Sequence, residues 1–241
     1  MTPFISMRRR ADLPELLDGP LQADTELAGN LADLARINRW SGGDLLLHAA
    51  VRRLIEPLPE RRFSLLDVGG SDGNGLSSVV AWAARRQLSC RGLLLDRSRP
   101  VLQLANRRRQ PEVRLLQGDA CRLPLGDRSV DLVSCSLVLH HFSAAPAQMM
   151  LREMARVARV GVIVDDLLRS HVGLLAALVL GHLLTSNRLT RHDAPLSVRR
   201  AFRPVELAPL LVGATLQPVW QRTIPGYRSV VAARPAPLAL P

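Results

Sequence analysis

The 241 residues of this chain are 47% hydrophobic, which is enough for one α/β domain with a helical addition. All 32 basic residues are arginines, and the formal net charge is +11. The arginines are spread along the chain, which favours a solvated surface over a dedicated nucleic-acid or membrane patch. The three cysteines have no metal-binding spacing, and their odd number is typical of a reduced, cytoplasmic protein.

The first part of the chain is predicted to be helical. Residues 1–58 are interpreted as an N-terminal arm and cap with helices over 24–39 and 44–55, separated by Ser41-Gly42-Gly43. The start of the chain lacks the apolar stretch of a secretory signal. The most apolar window, residues 172–184, is too short for a bilayer, so we expect no transmembrane segment.

Strands and helices then alternate, which predicts a parallel sheet with right-handed crossovers. The predicted strands are 64–68, 92–96, 112–117, 130–136 and 160–165, and the helices between them are 74–87, 99–109 and 144–158. Ligands on such sheets bind at the carboxyl ends of the strands. We therefore expect the site at that edge.

The segment after the fifth strand is predicted to form a lid, at about residues 168–203. It opens with an apolar helix over 171–185 and continues with the polar stretch SNRLTRHDAPLSVRRAF, which the pattern does not assign. A helix over 204–212 and two strands joined at Pro225-Gly226 complete the domain.

The stretch FSLLDVGGSDGNGL, residues 63–76, has the pattern of a strand, a tight turn and a helix. Glycines in the turn permit positive φ angles and close approach of a ligand to the backbone. The unpaired N–H groups of the following helix favour a nucleotide-like ligand.

These motifs resemble the class I S-adenosylmethionine (SAM) dependent methyltransferases of the small-molecule type. Asp67, Gly69 and Gly73 match the family's first motif, and Ser71 stands where its middle glycine is expected. The resemblance implies a Rossmann-like, seven-stranded, mostly parallel sheet with helices on both faces and a long β-hairpin at its end that supplies one antiparallel strand. It also implies a SAM-binding domain over residues 59–241, with S-adenosylhomocysteine (SAH) as the product.

The resemblance also implies roles for individual residues. Asp96 would bind the ribose hydroxyls, because a carboxylate can accept from both, and Asp119 would accept from the adenine amino group. The residues that it assigns to the cofactor are Asp67, Gly69, Gly70, Ser71, Gly73, Asp96, Arg97, Asp119, Ala120, Ser136 and Leu137.

Methyl transfer to a hydroxyl needs alignment and a base, and histidine is the usual base near neutral pH. His140 and His141 close the fourth strand, and His192 lies beside Asp193 in the lid. All three histidines are candidates for the base. The sequence predicts no metal site.

The acceptor is predicted to be a small, partly hydrophobic metabolite, such as a phenol or a polyketide of secondary metabolism, methylated on oxygen or carbon. The apolar lid favours such an acceptor. An aromatic content of 3% provides few side chains on which nucleic-acid bases could stack, which argues against a nucleic-acid acceptor. An RNA or protein methyltransferase that uses the basic surface is the alternative. Two further hypotheses are a non-catalytic binding protein and a dinucleotide oxidoreductase. A homodimer is a possible oligomeric state.

Overall fold

The computed structural model describes residues 7–19, 24–107 and 111–236, with the side chain of Asp24 left out. The helices are α1 (Asp24–Trp40), α2 (Gly43–Ile55), α3 (Asn74–Ala84), α4 (Arg99–Arg107), α5 (Ala144–Val157), α6 (His171–Leu183), α7 (Arg188–Arg200) and α8 (Pro204–Gly213). The strands are β1 (Arg62–Val68), β2 (Ser89–Asp96), β3 (Val113–Gln117), β4 (Val130–Ser136), β5 (Ala158–Leu167), β6 (Leu216–Ile224) and β7 (Arg228–Pro235).

The seven strands form one sheet in the order β3-β2-β1-β4-β5-β7-β6. The pairs among β1 to β5 are parallel, and β7 runs antiparallel to both β5 and β6. The order reverses direction between β1 and β4, where such sheets leave a crevice at their carboxyl edge. The predicted Rossmann-like fold with its terminal hairpin is confirmed.

Apolar side chains cover both faces of the sheet. One face packs against α2, α3 and α4, with Leu54, Leu76 and Leu102 in its core, and the other packs against α5 and α8, with Met150 and Leu210. The central strands are buried on both sides, which explains why their sequences are nearly continuous apolar runs.

The helix α2 belongs to the same core as the sheet. Its residues Ala50, Val51 and Leu54 are fully buried and share a cluster with β1 and β5. The predicted boundary at residue 58 therefore falls between two elements that pack on each other, and the division into two domains stays a prediction.

Several predicted boundaries were wrong by a few residues. The strand β2 begins at Ser89 rather than 92, β5 begins at Ala158 rather than 160, and α3 ends at Ala84 rather than 87. The predicted helix over 99–109 extends to Arg107 in the described part, and residues 108 and 109 lie outside it.

Most of the polar stretch that the sequence left unassigned forms the helix α7. Pro195 lies inside this helix and removes one backbone donor, which is why the pattern did not predict a helix. The side chain of Asn187 caps the helix by accepting from the N–H groups of Leu189 and Thr190, at 2.9 and 3.3 Å. Burial of Leu189 and Leu196 supplies the packing that offsets the proline.

The N-terminal arm is fixed to the rest of the molecule through Arg10. Its guanidinium donates to the carbonyl oxygens of Arg200, His140 and Phe142 at 2.5, 3.1 and 2.9 Å, and it lies 3.6 Å from the ring centroid of Phe202. Residues 11–19 are thereby held beside the carboxyl ends of the strands.

Candidate active site

The carboxyl edge of the sheet borders a cavity of about 1240 Å³. Gly69, Asp96, Asp119 and Ser136, which follow or end β1, β2, β3 and β4, all line it. The volume exceeds the ~300–1,000 Å³ typical of a site for one drug-sized ligand. The cavity therefore has room for a cofactor and an acceptor together.

The loop after β1 brings backbone to the cavity surface. Gly69 has a φ of 67°, and its N–H donates to Leu95 O at 2.7 Å. A Cβ at Gly69 would lie 2.7 Å from Val138, so only glycine fits there. Ser71 also has a positive φ, 55°, which is uncommon for a non-glycine residue and explains why the family expects glycine at that position.

Gly73 is the one member of the predicted cofactor set that does not line the cavity, among the residues described. It has a φ of 80° and precedes the first turn of α3, where it packs against Leu94. Its position therefore indicates that Gly73 allows the chain to turn into α3, rather than that it contacts a ligand.

The acids after β2 and β3 are held by local backbone donors. Asp96 Oδ1 accepts from the N–H of Ser98 at 2.8 Å, and burial raises the pKa of its carboxyl. Asp119 Oδ1 accepts from the N–H of Cys121 at 2.8 Å. Arg97 and Ala120 follow these two acids and also line the cavity.

Asp67 lies at the bottom of the cavity and is 3% exposed. Its Oδ1 accepts from the hydroxyl of Ser134 at 2.8 Å, and a Cβ at Gly70 would lie 2.7 Å from its Oδ2. Burial raises the pKa of Asp67 to about 7. The carboxyl can thus change charge near neutral pH beside the glycine loop.

The chain leaves β4 through a second strained residue. Leu137 has a φ of 57°, and its N–H donates to Asp165 O at 2.8 Å. Ser136 and Leu137 line the cavity, and the bend turns His140 and His141 toward the N-terminal arm. Sequence reasoning placed both histidines near this edge but did not reveal the bend.

A compact polar cluster lies in the wall of the cavity; we call Glu15, His140 and His141 the His-Glu cluster. Nδ1 of His140 lies 2.6 Å from Asp166 Oδ1, and Nδ1 of His141 lies 3.2 Å from the Asp18 carboxylate. Nε2 of His140 and Nε2 of His141 face Glu15 at 3.7 and 3.8 Å.

Glu15 and Asp18 were missed by sequence reasoning. Both lie in the arm, far from the histidines in the chain, and the segment LPELLDG carries no pattern that marks them. Glu15 is 4% exposed and accepts from the hydroxyl of Ser197 at 2.9 Å. Burial raises the pKa of Glu15 to about 7.

His192 is not brought to the cavity. Its side chain is 50% exposed, its Nδ1 lies 2.8 Å from Asp193 Oδ1, and it is absent from the described lining. The neighbouring Asp193 does line the cavity, and its carboxylate accepts from the N–H groups of Leu16 and Leu17. A base at His192 stays a prediction without geometric support.

Much of the remaining wall is apolar, and α1 and α6 contribute many of its side chains. The contributing side chains include Leu31, Leu34, Ala176, Ala177 and Leu180. Residues of α6 thus line the cavity, and we call this helix the roof of the cavity; the lid over residues 168–203 stays a prediction. This half of the cavity suits an apolar molecule.

The charged residues of the wall are almost all acids. Among the described residues, one arginine, Arg97, lines the cavity together with eight carboxylates. These carboxylates are Glu15, Asp18, Asp67, Asp72, Asp96, Asp119, Asp165 and Asp193. The positive net charge of the chain is therefore not concentrated in the cavity.

Residues 66–164 match the family model of a methyltransferase domain. Together with the fold, this match over residues 66–164 supports a class I SAM-dependent methyltransferase with SAM as its cofactor. No curated protein sequence matches this chain. Within the described ranges, no helix has the length and apolar content needed to cross a lipid bilayer.

Solved methyltransferase structures share this fold at low sequence identity. A SAM-dependent methyltransferase from Aquifex aeolicus is 17% identical, with 88% of this chain and 98% of that chain covered and a TM-score of 0.59. An O-methyltransferase family 2 protein from Planctomyces limnophilus, solved with apigenin, is 16% identical over 90% of this chain and 62% of its own, with a TM-score of 0.62. The mitomycin 7-O-methyltransferase MmcR is 23% identical over 72% and 49%, with a TM-score of 0.53.

Proposed function

We propose that this methyltransferase methylates an oxygen, or a carbon, of a small, partly hydrophobic metabolite such as a phenolic or polyketide compound. The observation that carries the proposal is the division of one cavity into two halves. Its polar half lies at the strand ends, and its apolar half lies under α6. A soluble aromatic or polyketide acceptor has the size and the mixed polarity that the second half favours.

The polar half fits SAM by its chemistry. Carboxylates at Asp96 and Asp119 suit hydroxyl and amino donors, and the missing side chains at Gly69 and Gly70 leave room against the backbone. We assign the ribose to Asp96, the adenine to Asp119 and the methionine part to the glycine loop. When bound, SAM supplies an electrophilic methyl group.

The acceptor would lie between α6 and the His-Glu cluster. The apolar side chains of α1 and α6 would bind its hydrocarbon part and exclude water, while the cluster orients the oxygen to be methylated. Alignment of this kind supplies most of what methyl transfer requires. We therefore place the reacting oxygen beside His140 and His141 rather than beside His192.

The acidic wall argues against RNA as the acceptor. Polyanions are bound through arginine and lysine, and the described lining contains a single arginine among eight carboxylates.

Two of the structurally similar proteins add support to a small-molecule acceptor. One is an O-methyltransferase family 2 protein solved with apigenin, and the other is a mitomycin 7-O-methyltransferase.

The ribose assignment is tested by the substitution Asp96→Ala. Loss of a charged acceptor costs about 1.5–3 kcal/mol, so SAH affinity should fall about 10- to 100-fold in isothermal titration calorimetry. The matched control is Asp127→Ala, an exposed acid outside the cavity, which should bind SAH as the wild type does. Unchanged affinity in Asp96→Ala would refute the assignment.

The acceptor class is tested by incubation of the enzyme with SAM and a panel of phenols, polyketides and transfer RNA. We expect a methylated product, identified by mass spectrometry, only from the small molecules. Methylated RNA without any methylated small molecule would overturn the proposal.

A further inference from the structure

Three atoms with lone pairs converge at the wall of the cavity. They are Nε2 of His140, Nε2 of His141 and the carboxylate of Glu15, and the possible ligand atoms of the three residues lie within 4.8 Å of one another. Nε2 to carboxylate separations of 3.7 and 3.8 Å exceed the 2.7–3.2 Å of a hydrogen bond. The three groups therefore face each other without bonding directly.

Each of the two imidazole rings, of His140 and His141, has a second carboxylate on the side away from Glu15. That carboxylate determines which ring nitrogen carries the proton and which presents a lone pair to Glu15. Asp166 receives both the backbone N–H of His140, at 2.9 Å, and its Nδ1, at 2.6 Å. Asp18 lies 3.2 Å from Nδ1 of His141. A neutral histidine that donates from Nδ1 presents a lone pair at Nε2. This arrangement of carboxylate, histidine and open lone pair is how proteins orient metal-binding histidines.

The local charge also favours a cation. Arg200 is the nearest guanidinium, 3.9 Å from Glu15 and 3.4 Å from Asp18, and the carboxylates of Glu15, Asp18 and Asp166 surround the two rings. Buried charges are costly unless they are paired or coordinate a metal. Arg97 also lies 3.9 Å from Asp18, so two guanidiniums face three carboxylates, and the remaining negative charge is one that a divalent cation would neutralise.

We propose that the His-Glu cluster binds one divalent first-row transition metal ion, with Glu15, His140 and His141 as ligands. Two imidazoles and one carboxylate are a donor set for zinc and for iron(II), and both ions keep open positions in such sites. Ligand atoms ~2.0–2.1 Å from a tetrahedral zinc lie about 3.3 Å apart. The ligand atoms of the three residues lie within 4.8 Å of one another, so they would move closer together when an ion binds.

The open positions of the ion would face the cavity, because all three ligands line it. This part of the inference rests on the proposed function: the ion would lie where it could hold the acceptor's oxygen. His140 and His141 would then act as metal ligands rather than as bases. The sequence predicted no metal here because the carboxylate comes from the N-terminal arm. An acceptor with two neighbouring oxygens would suit such an ion best.

Cobalt(II) is the probe, because its visible absorption reports its ligands independently of activity. After chelator treatment, the full-length protein should bind one cobalt(II) per chain, with absorption bands that zinc displaces and magnesium does not. Glu15→Gln and His141→Asn should each weaken cobalt binding by at least tenfold. The matched control is His182→Asn on the exposed side of α6, which should bind cobalt as the wild type does.

Absence of stoichiometric binding, or binding that survives both Glu15→Gln and His141→Asn, would overturn the proposal. Anomalous scattering from zinc-soaked wild-type crystals gives a second measurement that needs no variant, and a peak elsewhere would likewise exclude it. SAH titration of the same samples separates the two proposals. Retained SAH binding without cobalt binding refutes the metal site alone, whereas loss of SAH binding in the wild type refutes the proposed function.

Discussion

At the level of single residues, Asp67 shows how burial in the site changes the pKa of a carboxyl group. Its carboxyl is held by Ser134 but otherwise enclosed, and Asp165 and Asp96 add negative charge nearby, so burial and repulsion raise its pKa to about 7. A neutral Asp67 stabilises the fold, and an ionised one favours a cationic ligand group. The folded protein therefore binds a proton that the unfolded chain releases at lower pH.

We expect the free energy of unfolding to fall as the pH rises from about 4 to 7 through this group, since the folded state binds more protons over that window. Asp67→Asn should remove the contribution of Asp67 to this decline, while the contribution of Glu15, whose pKa is also raised to about 7, remains. The stability of Asp67→Asn relative to the wild type should therefore increase with pH by up to about 4 kcal/mol. Urea unfolding at about pH 4.5, 6 and 8 measures this difference.

Ser134→Ala provides the companion variant for this test. It removes the hydrogen bond that favours the ionised carboxyl, so the decline should extend to higher pH. A pH dependence identical in the wild type and Asp67→Asn would show that Asp67 does not titrate in this range.

At the level of elements, α6 and its cap determine the roof of the cavity. Ser170 accepts from the N–H of Gly173 at 2.8 Å, and its hydroxyl also donates to Gly226 O in the turn between β6 and β7. One side chain thus fixes the start of the roof helix to the terminal hairpin. The roof position depends on a contact between two segments that are remote in sequence.

Ser170→Ala should lower the free energy of unfolding by about 1–2 kcal/mol, because it removes a cap and leaves a carbonyl without its donor. It should raise the KM for the acceptor more than the Kd for SAH, since α6 borders the acceptor half. Ser143→Ala is the matched control, as Ser143 precedes α5 without a side-chain cap bond, and it should be nearly neutral. Equal effects in the two variants would contradict the capping role.

At the level of the whole molecule, a buried ion pair joins the sheet to the N-terminal helices. Arg228 on β7 is fully buried and donates to both oxygens of Asp165 on β5, with Nη2 2.5 Å from Oδ2. Its Nη1 donates to Asn38 Oδ1 at 2.6 Å, and a Cβ at Gly43 would lie 2.5 Å from that same nitrogen. The antiparallel strand, the fifth strand and the α1–α2 junction are therefore held at one point.

Arg228→Met should cost about 3–5 kcal/mol of stability, because it leaves the buried Asp165 without its partner. The double variant Arg228→Met with Asp165→Asn should be more stable than Arg228→Met alone, and urea unfolding of the wild type, both single variants and the double variant gives the coupling. Arg62→Met is the matched control, since it breaks an exposed pair with Glu60 and should leave stability nearly unchanged. A double variant less stable than Arg228→Met would contradict this account.

Local sequence determined much of the fold and of the cofactor half of the site. The apolar runs ending at Asp67 and Asp96 predicted strands, and the alternation of strands with helices predicted a parallel sheet, because such elements have few ways to pack. The carboxyl ends of those strands then had to meet at one edge, which brought Gly69, Asp96 and Asp119 to one cavity. That grouping follows from chain direction and needs no long-range detail.

Tertiary structure alone decided the acceptor half. Glu15 meets His140 and His141 because Arg10 fixes the arm and Leu137 bends the chain after β4, and neither contact has a local signature. The helix α7 forms despite Pro195 because buried side chains outweigh local propensity. Periodicity and motif spacing report neighbours in the chain, whereas the apolar roof and the His-Glu cluster are made by segments that meet only after folding.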